Sequence, residues 1–285
     1  MPDQAEKLRE IMQKKESVPR GNTRVIAVSS GKGGVGKTNI AINLAIAYAQ
    51  LGRKVIVLDA DLGLANVNVI LGIIPQYNLY HLIKKQKRMK DIIINTEFGI
   101  QFIAGASGFS KIANLSESER KHFIDELYEL SNADIIIVDT SAGVSDNVLS
   151  FIAASDDVII VTTPEPTAIT DAYGIIKIIA TEIDNVDLDI KLIINRVNSV
   201  VEGRKVAERV INIAGQFLNL KVDYLGFVYE DALVHSAVLK QKPFIALDPR
   251  GKASICVKHI VSRLENIDFK EGRGLGNFFK RLFGG

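Results

Sequence analysis

The chain has 285 residues, of which 47% are hydrophobic and 24% are charged, so it can bury one large core. Its net charge of +2 is too small to indicate a dedicated nucleic-acid binder. A single cysteine, Cys256, excludes an internal disulfide, and the polar first residues lack the apolar core of a signal peptide. No apolar run reaches the length of a membrane span. These features predict a cytoplasmic protein that contacts a membrane only at its surface.

Short runs rich in Val, Ile and Leu alternate with longer helical patterns along most of the chain. This alternation predicts an α/β fold with a mostly parallel central β-sheet flanked by helices on both faces. Because the runs are almost continuously apolar, each is predicted to be a central strand. The predicted strands are Arg24–Ser29, Lys54–Asp59, Gly99–Ala104, Ile135–Asp139, Asp157–Thr162, Lys191–Asn195 and Asp223–Val228. The predicted helices include Asn39–Leu51, Glu117–Leu130, Ile169–Ile183 and Lys205–Phe217.

The two ends of the chain fall outside this alternation, and each is joined to it by residues typical of flexible loops. The sequence therefore predicts three parts. Residues 1–21 form an N-terminal helix with its linker, residues 22–265 form the large domain, and residues 266–285 form a linker with a C-terminal helix.

A glycine-rich loop follows the first predicted strand directly and opens the first predicted helix. Backbone N–H groups of such a loop face a phosphate, and the helix N-terminus adds a favourable dipole. Lys37 is placed to reach the β- and γ-phosphates, and Thr38 is placed to ligate Mg²⁺. The pattern is that of a P-loop. Its residues are Gly31, Lys32, Gly33, Gly34, Val35, Gly36, Lys37 and Thr38, with Asn39 beginning the helix.

The lysine after the first glycine is not required by an ordinary P-loop. With Lys32 included, the KGGVGKT string resembles the signature of the MinD/ParA family of deviant-Walker ATPases. The resemblance implies a P-loop NTPase fold of the MinD type, ATP and Mg²⁺ as cofactors, and a homodimer formed with ATP. In that family the extra lysine reaches the nucleotide held by the partner subunit. By resemblance, Lys32 would supply positive charge in trans, beside Lys37 and Asp61 as the other catalytic residues.

Two further strand ends carry carboxylates that the family resemblance interprets. Asp59 and Asp61 resemble the family's switch I, in which Asp61 would orient the attacking water and Asp59 would lie nearer the metal. Asp139 ends an apolar run and resembles the Walker B aspartate, which holds Mg²⁺ through water. Gly143 would let the following switch II approach the γ-phosphate. Thr38, Asp59 and Asp139 are thus the predicted metal residues.

Other positions match the family's base site and dimer face. Asn195 and Arg196 match the position that recognises adenine, to which an asparagine offers one donor and one acceptor. Glu165 matches a glutamate that the family brings to the dimer face, and Asp171 follows on the next helix. Residues 235–243 are interpreted as closing over the base. Glu165, Asn195 and Arg196 therefore join the P-loop and Asn39 in the predicted nucleotide site.

Apolar side chains in the last residues recur at i, i+3, i+4, i+7 and i+8, which is one stripe on a helix. With cations beside it, the stripe predicts an amphipathic helix that lies on an anionic membrane surface. Docking on the chain's own core or on a partner protein is the alternative. The predicted membrane residues are Leu275, Phe278, Phe279, Lys280, Arg281, Leu282 and Phe283.

A short amphipathic helix is predicted at the N-terminus, where Asp3 is an N-cap residue and Glu6 completes a capping box. Its string DQAEKLR resembles the DQAxxLR activator motif of FlhG-type flagellar-number regulators within the same family, which engages the GTPase FlhF. By resemblance, Gln4 would help to order the catalytic water of an FlhF-type GTPase. The predicted partner-binding residues are Asp3, Gln4, Ala5, Leu8 and Arg9.

These patterns together predict a slow, switch-type ATPase that regulates flagellar number or placement from the inner face of the membrane, with a polar position as a further expectation. Flagellar switch or C-ring proteins, or a flagellar transcription regulator, are its other expected partners. A MinD-type division-site regulator remains an alternative, since it explains the ATP site and the tail. A ParA-type DNA-partition ATPase is another, and it requires ATP-dependent, salt-sensitive binding to duplex DNA.

A basic cluster stands apart from these motifs. It could meet anionic lipid, DNA or an acidic partner, although a solvated helix end explains it more simply. Its residues are Lys84, Lys85, Lys87, Arg88 and Lys90.

Overall fold

The computed structural model describes residues 23–61, 66–105, 122, 125–126, 128–183 and 188–266. These residues belong almost entirely to the predicted large domain. The predicted partner-binding residues at 3–9 and the predicted membrane residues at 275–283 lie outside the described residues.

The described residues contain one sheet of eight strands, in the order β3-β4-β2-β5-β1-β6-β7-β8. All neighbouring strands are parallel except the antiparallel pair β3 and β4. The mostly parallel sheet is as predicted. The strands are β1 Arg24–Ser30, β2 Val55–Ala60, β3 Ile93–Asn95, β4 Gln101–Ile103, β5 Ile135–Ala142, β6 Asp157–Thr162, β7 Asp189–Val197 and β8 Asp223–Tyr229.

Helices connect the strands and cover both faces of the sheet. In the part of the chain that the structure describes, no helix combines the length and the apolar character needed to cross a bilayer. The helices are α1 Lys37–Gln50, α2 Val67–Leu71, α3 Leu79–Ile83, α4 Met89–Ile92, α5 Asp146–Ala153, α6 Pro166–Glu182, α7 Val200–Leu218, α8 Ala232–Leu239, α9 Phe244–Leu247 and α10 Lys252–Leu264, with a 3₁₀ helix at Tyr128–Asn132.

The core lies on both faces of the sheet because successive residues of a strand point to opposite sides. On β2, Val57 packs in the cluster that contains α1 and α10, whereas Leu58 packs in the cluster that contains α3 and α4. A third cluster is formed by α6 and α7 over β6 and β7. Burial on two faces explains why the strand segments are almost continuously apolar.

Two sequence predictions about the strands differ from the structure. The segment predicted as a central strand at Asp223–Val228 is β8, which lies at an edge of the sheet. Its apolar residues Leu225 and Val228 are buried by packing in the α1 and α10 cluster, so burial by helices produced the central-strand pattern. The antiparallel edge strand β3 has only three residues and was not predicted. The predicted helix at Glu117–Leu130 lies largely outside the described residues, and its described end belongs to the 3₁₀ helix.

The topology places the carboxyl ends of β1, β2, β5, β6 and β7 at one edge of the sheet. There β1 has β5 on one side and β6 on the other. Crevices at the carboxyl ends of parallel strands, where the strand order reverses, are where open α/β sheets bind ligands. The glycine-rich loop from β1 to α1 lies at this point.

Candidate active site

The loop between β1 and α1 has a backbone conformation that requires glycine at particular positions. Gly34 and Gly36 have φ angles of +79° and +92°, in the left-handed region that side chains disfavour. Gly36 is also the N-cap residue of α1. At Gly31 a side chain would collide with the backbone carbonyl of Asp171 on α6, so the loop and α6 are in close contact. The loop thus keeps its backbone exposed to a ligand at the N-terminus of α1.

The lysine that opens α1 is buried and paired with a carboxylate. Lys37 is 7% exposed, and its Nζ donates a hydrogen bond to Asp139 Oδ1 at 2.9 Å. Asp139 on β5 is fully buried, and the Thr38 side chain beside it favours its charged form by lowering its pKa. The structure therefore brings together the predicted phosphate lysine and two of the three predicted metal residues. The ion pair with Asp139 thus holds the positive charge of Lys37 beneath the glycine-rich loop.

The third predicted metal residue lies beside this pair. Asp59 on β2 is in register with Asp139 on β5, and both are fully buried. Asp59 Oδ1 accepts a hydrogen bond from the Asp61 amide at 3.0 Å. Among the described residues, neither Asp59 Oδ2 nor Asp139 Oδ2 has a hydrogen-bond partner. Buried oxygens without partners are costly, and carboxylate oxygens are ligands that Mg²⁺ prefers, so this pair fits a magnesium site.

Burial makes the Asp59 carboxyl an unusually weak acid. Its removal from water, reinforced by the nearby Asp139 charge, raises the pKa of Asp59 to about 7. In the unfolded chain the same carboxyl ionises near its ordinary value of 3.8. Between these two values the folded protein binds the additional proton, so the free energy of unfolding falls as the pH rises from about 4 to about 7.

Replacing Asp59 with asparagine is expected to stabilise the protein without nucleotide or Mg²⁺, and more so at pH 8 than at pH 5. A difference of about three pKa units sets an upper bound on the order of 4 kcal/mol. Urea unfolding in EDTA at the two pH values measures the effect. Asp146→Asn, at an exposed position, is the control and should show no such difference. An Asp59→Asn effect equal at both pH values would contradict the assignment.

A cavity of about 490 Å³ opens in front of this group. Asp61 lines it, and Asn66 Nδ2 donates to Asp61 Oδ2 at 3.5 Å. The predicted water-orienting carboxylate therefore faces the same space as the loop. The cavity is lined by Ser30, Gly33, Gly34, Gly36, Lys37, Thr38, Asn39, Asp61, Asn66, Val69, Ile70, Ala142, Arg196 and Val238.

A second cavity, of about 410 Å³, shares Gly36, Asn39, Arg196 and Val238 with the first. Asn195 lines it, and its Nδ2 donates to the Val35 carbonyl at 2.8 Å, which ties β7 to the loop. From the segment predicted to close over the base, His235 and Val238 line this cavity. The structure therefore brings the predicted base residues next to the predicted phosphate residues.

Lys32, the lysine of the family signature, does not point into the site as Lys37 does. Lys32 lines neither cavity. Its Nζ binds Thr167 Oγ1 at 2.9 Å and Glu165 Oε2 at 3.2 Å at the start of α6. The side chains of Lys32 and Glu165 are 39% and 60% exposed. The two residues predicted for the dimer face thus meet each other on the outside of the site.

Two polar residues that shape the site were not predicted. Asn43 is fully buried in α1, donates to the Asn39 carbonyl at 2.7 Å and accepts from the Ile245 amide at 2.9 Å. Asp231 accepts from the Leu233 amide at 2.9 Å and from the Ala253 amide at 3.3 Å, so it caps α8 and joins it to α10. Asn43 therefore joins α9 to α1, and Asp231 joins α8 to α10. An asparagine in the otherwise apolar stretch of α1 was a signal available in the sequence.

Comparison with known proteins agrees with this geometry. Residues 26–244 match the family model of the CobQ/CobB/MinD/ParA nucleotide binding domain. The antiactivator FleN of Pseudomonas aeruginosa is 38% identical over 244 residues, which cover 85% of this chain and 86% of FleN. The flagellum site-determining protein YlxH of Helicobacter pylori is 40% identical over 270 residues, which cover 92% of this chain and 90% of YlxH.

Solved structures show the same fold. A chain of the MinC:MinD cell division protein complex of Aquifex aeolicus superposes with a TM-score of 0.70 at 25% identity, covering 88% of this chain and 99% of that chain. MinD from Pyrococcus horikoshii, solved with Mg-ADP, has a TM-score of 0.69 at 24% identity and covers 85% of this chain and 96% of its own. The chain therefore belongs to the CobQ/CobB/MinD/ParA nucleotide-binding family of P-loop ATPases, and within it to the FlhG group of flagellar regulators.

Proposed function

We propose that this protein is a slow ATPase switch that dimerises with ATP, associates with the membrane and stimulates an FlhF-type GTPase. The position of Lys32 carries the proposal. A lysine that served its own nucleotide would be expected to line its own cavity, whereas Lys32 faces outward and binds exposed groups of α6. If a second subunit presents the phosphates of its bound nucleotide to this surface, Lys32 can bind them, because its present contacts are solvent-exposed and weak.

The remaining site residues divide the work of hydrolysis. Bound Mg²⁺ would supply charge neutralisation at the phosphates. The buried oxygens of Asp59 and Asp139, together with the Thr38 hydroxyl, would hold it, and the unpartnered Oδ2 atoms of both aspartates support this role. Lys37 would exchange its bond to Asp139 for the β- and γ-phosphates, and Asp61, facing the cavity, would orient the attacking water.

The base would lie in the second cavity. The Asn195 side chain offers a donor and an acceptor that suit the edge of adenine. Its Nδ2 donates a hydrogen bond to the Val35 carbonyl, which holds the side chain in one orientation beside the loop. Arg196, with a φ of +58°, lies at the boundary of the two cavities. These features support ATP as the nucleotide.

The C-terminal helix at 275–285 would give the dimer its place on the inner face of the membrane. One copy buries only part of five apolar side chains, so it binds weakly, whereas two copies gain avidity of about 10² to 10⁴. Removing residues 275–285 is expected to abolish ATP-dependent binding to anionic vesicles in a flotation assay. Unchanged binding would reject the role proposed for this helix.

The N-terminal DQAEKLR motif would bind and activate the partner GTPase. The flagellar relatives FleN and YlxH support a flagellar setting, in which FlhF is the GTPase that the DQAEKLR motif would engage. Flagellar switch proteins or a transcription regulator would be further partners.

The direct test is the GTPase rate of a cognate FlhF-type protein with the full chain. We expect stimulation that Gln4→Ala abolishes and that Lys7→Ala, at a variable position of the motif, leaves intact. Equal stimulation by all three proteins, or none by the unmodified chain, would count against this part of the proposal.

A further inference from the structure

A basic surface lies outside the two cavities, and none of its five cations lines either of them. Five of the seven residues from 84 to 90 are cations, four in the turn between α3 and α4 and one in α4 itself. Lys84, Lys85, Arg88 and Lys90 are exposed. In the described part of the chain, no carboxylate forms an ion pair with any of them.

Two acids of the described residues near this turn accept hydrogen bonds from its backbone. Asp91 Oδ2 accepts a hydrogen bond from the Arg88 amide at 3.0 Å, and Glu126 Oε2 accepts one from the Met89 amide at 2.6 Å. These bonds hold the turn and α4 in place while the cationic side chains extend outward. Five cations outnumber these two carboxylates, so the surface keeps an excess of positive charge on a fixed backbone, which favours long-range attraction of an acidic partner.

Exposed apolar and aromatic residues precede the cations in the same segment of the chain. Ile74 is 95% exposed, the highest value among the exposed large hydrophobic residues in the described ranges, and Tyr80 is 40% exposed. Tyr77 follows Ile74 by three residues, and Lys87 Nζ lies over its ring, 4.0 Å from the ring centre. Aromatic side chains and arginine are enriched in protein interfaces, so Tyr77, Tyr80 and Arg88 suit a docking surface, while the lysines add electrostatic attraction.

The segment is also rigid. Asn78 caps α3 by accepting from the Tyr80 amide at 3.1 Å, and His81 closes the capping box. Leu79, Leu82, Met89 and Ile92 are buried in the cluster beneath the turn. A surface that is already ordered loses little conformational freedom on binding.

We propose that this surface binds an acidic protein segment whose carboxylates face the cations and whose apolar side chain covers Ile74. A lipid surface is a poorer fit, because Ile74 and Tyr80 are the exposed large apolar residues of this segment in the described ranges, which is little apolar area for insertion among lipids. Duplex DNA gains nothing from an exposed isoleucine. The inference does not depend on the nucleotide switch.

The test uses a displayed library of random 12-residue peptides selected on the full chain. The library is counter-selected on the variant Lys84→Gln, Lys85→Gln, Arg88→Gln, Lys90→Gln. We expect enriched peptides rich in Asp and Glu with an apolar residue. A labelled peptide of this kind should bind at least tenfold more weakly to the quadruple variant and to Ile74→Ser, and more weakly at high salt.

A matched control keeps the test specific. Lys177, Arg204, Lys205 and Arg209 are exposed cations on α6 and α7, and their fourfold replacement by glutamine removes the same charge. Peptide binding should survive this change. Peptides without acidic bias, equal loss in the control, or binding of duplex DNA or phosphatidylserine vesicles that only the first variant loses would overturn the proposal. Unchanged thermal unfolding of the variants establishes that they fold.

Discussion

Replacing Lys32 with alanine is expected to lower ATP hydrolysis by about 10³-fold or more while leaving ATP binding nearly unchanged. A cation delivered in trans to the transferring phosphoryl group accounts for factors of about 10³ to 10⁵ in related phosphoryl-transfer enzymes. Lys32 lines neither cavity of its own subunit, so its removal does not disturb the subunit's own nucleotide contacts. Phosphate release and calorimetric titration with ATP measure the two quantities.

The contact between Lys32 and Glu165 provides the control. Glu165→Gln weakens an exposed ion pair worth at most about 1 kcal/mol, so the fold and ATP binding should be retained. Hydrolysis that survives Lys32→Ala, or ATP binding that falls in parallel with hydrolysis, would show that the lysine does not act across a dimer.

Replacing Lys37 with methionine is expected to abolish ATP hydrolysis and also to destabilise the protein by about 3–5 kcal/mol. Lys37 and Asp139 form a buried pair with side-chain exposures of 8% and 0%. Removing the lysine leaves Asp139 without its cation in the interior, where an uncompensated charge is costly. Urea unfolding of the nucleotide-free protein measures the change.

The double variant Lys37→Met, Asp139→Asn separates the two effects. Neutralising both partners should restore most of the stability and none of the activity, since the cost of an uncompensated charge disappears but the phosphate and metal groups do not return. Lys177→Met, at an exposed position, should change neither quantity. A single variant as stable as the original protein would contradict the buried pair.

Much of the site was predictable from local sequence. The loop from Gly31 to Thr38 is recognisable because glycine spacing, strand and helix all lie within one short segment, and the family resemblance it gave is confirmed. The strands were recognisable because burial on both faces leaves an apolar run. Among the described strands, only the short edge strand β3 was missed, since three residues carry no periodicity.

Contacts between distant segments could not be predicted in the same way. The hydrogen bond that the Ile245 amide donates to Asn43 joins residues about 200 positions apart in the chain. No sequence pattern in one of these segments indicates that it contacts the other. The register that sets Asp59 beside Asp139 follows from the order of strands. The contact of Lys32 with Glu165 and Thr167 likewise requires β1 and β6 to be neighbours.

We propose that ATP controls the association of two subunits through this site. The Asp61→Ala variant should bind ATP but hydrolyse it poorly, so its sedimentation with Mg²⁺ and either ATP or ADP is the decisive measurement. We expect a species of twice the 31.2 kDa chain mass with ATP and of the single chain mass with ADP. The same mass with both nucleotides would show that ATP does not control association.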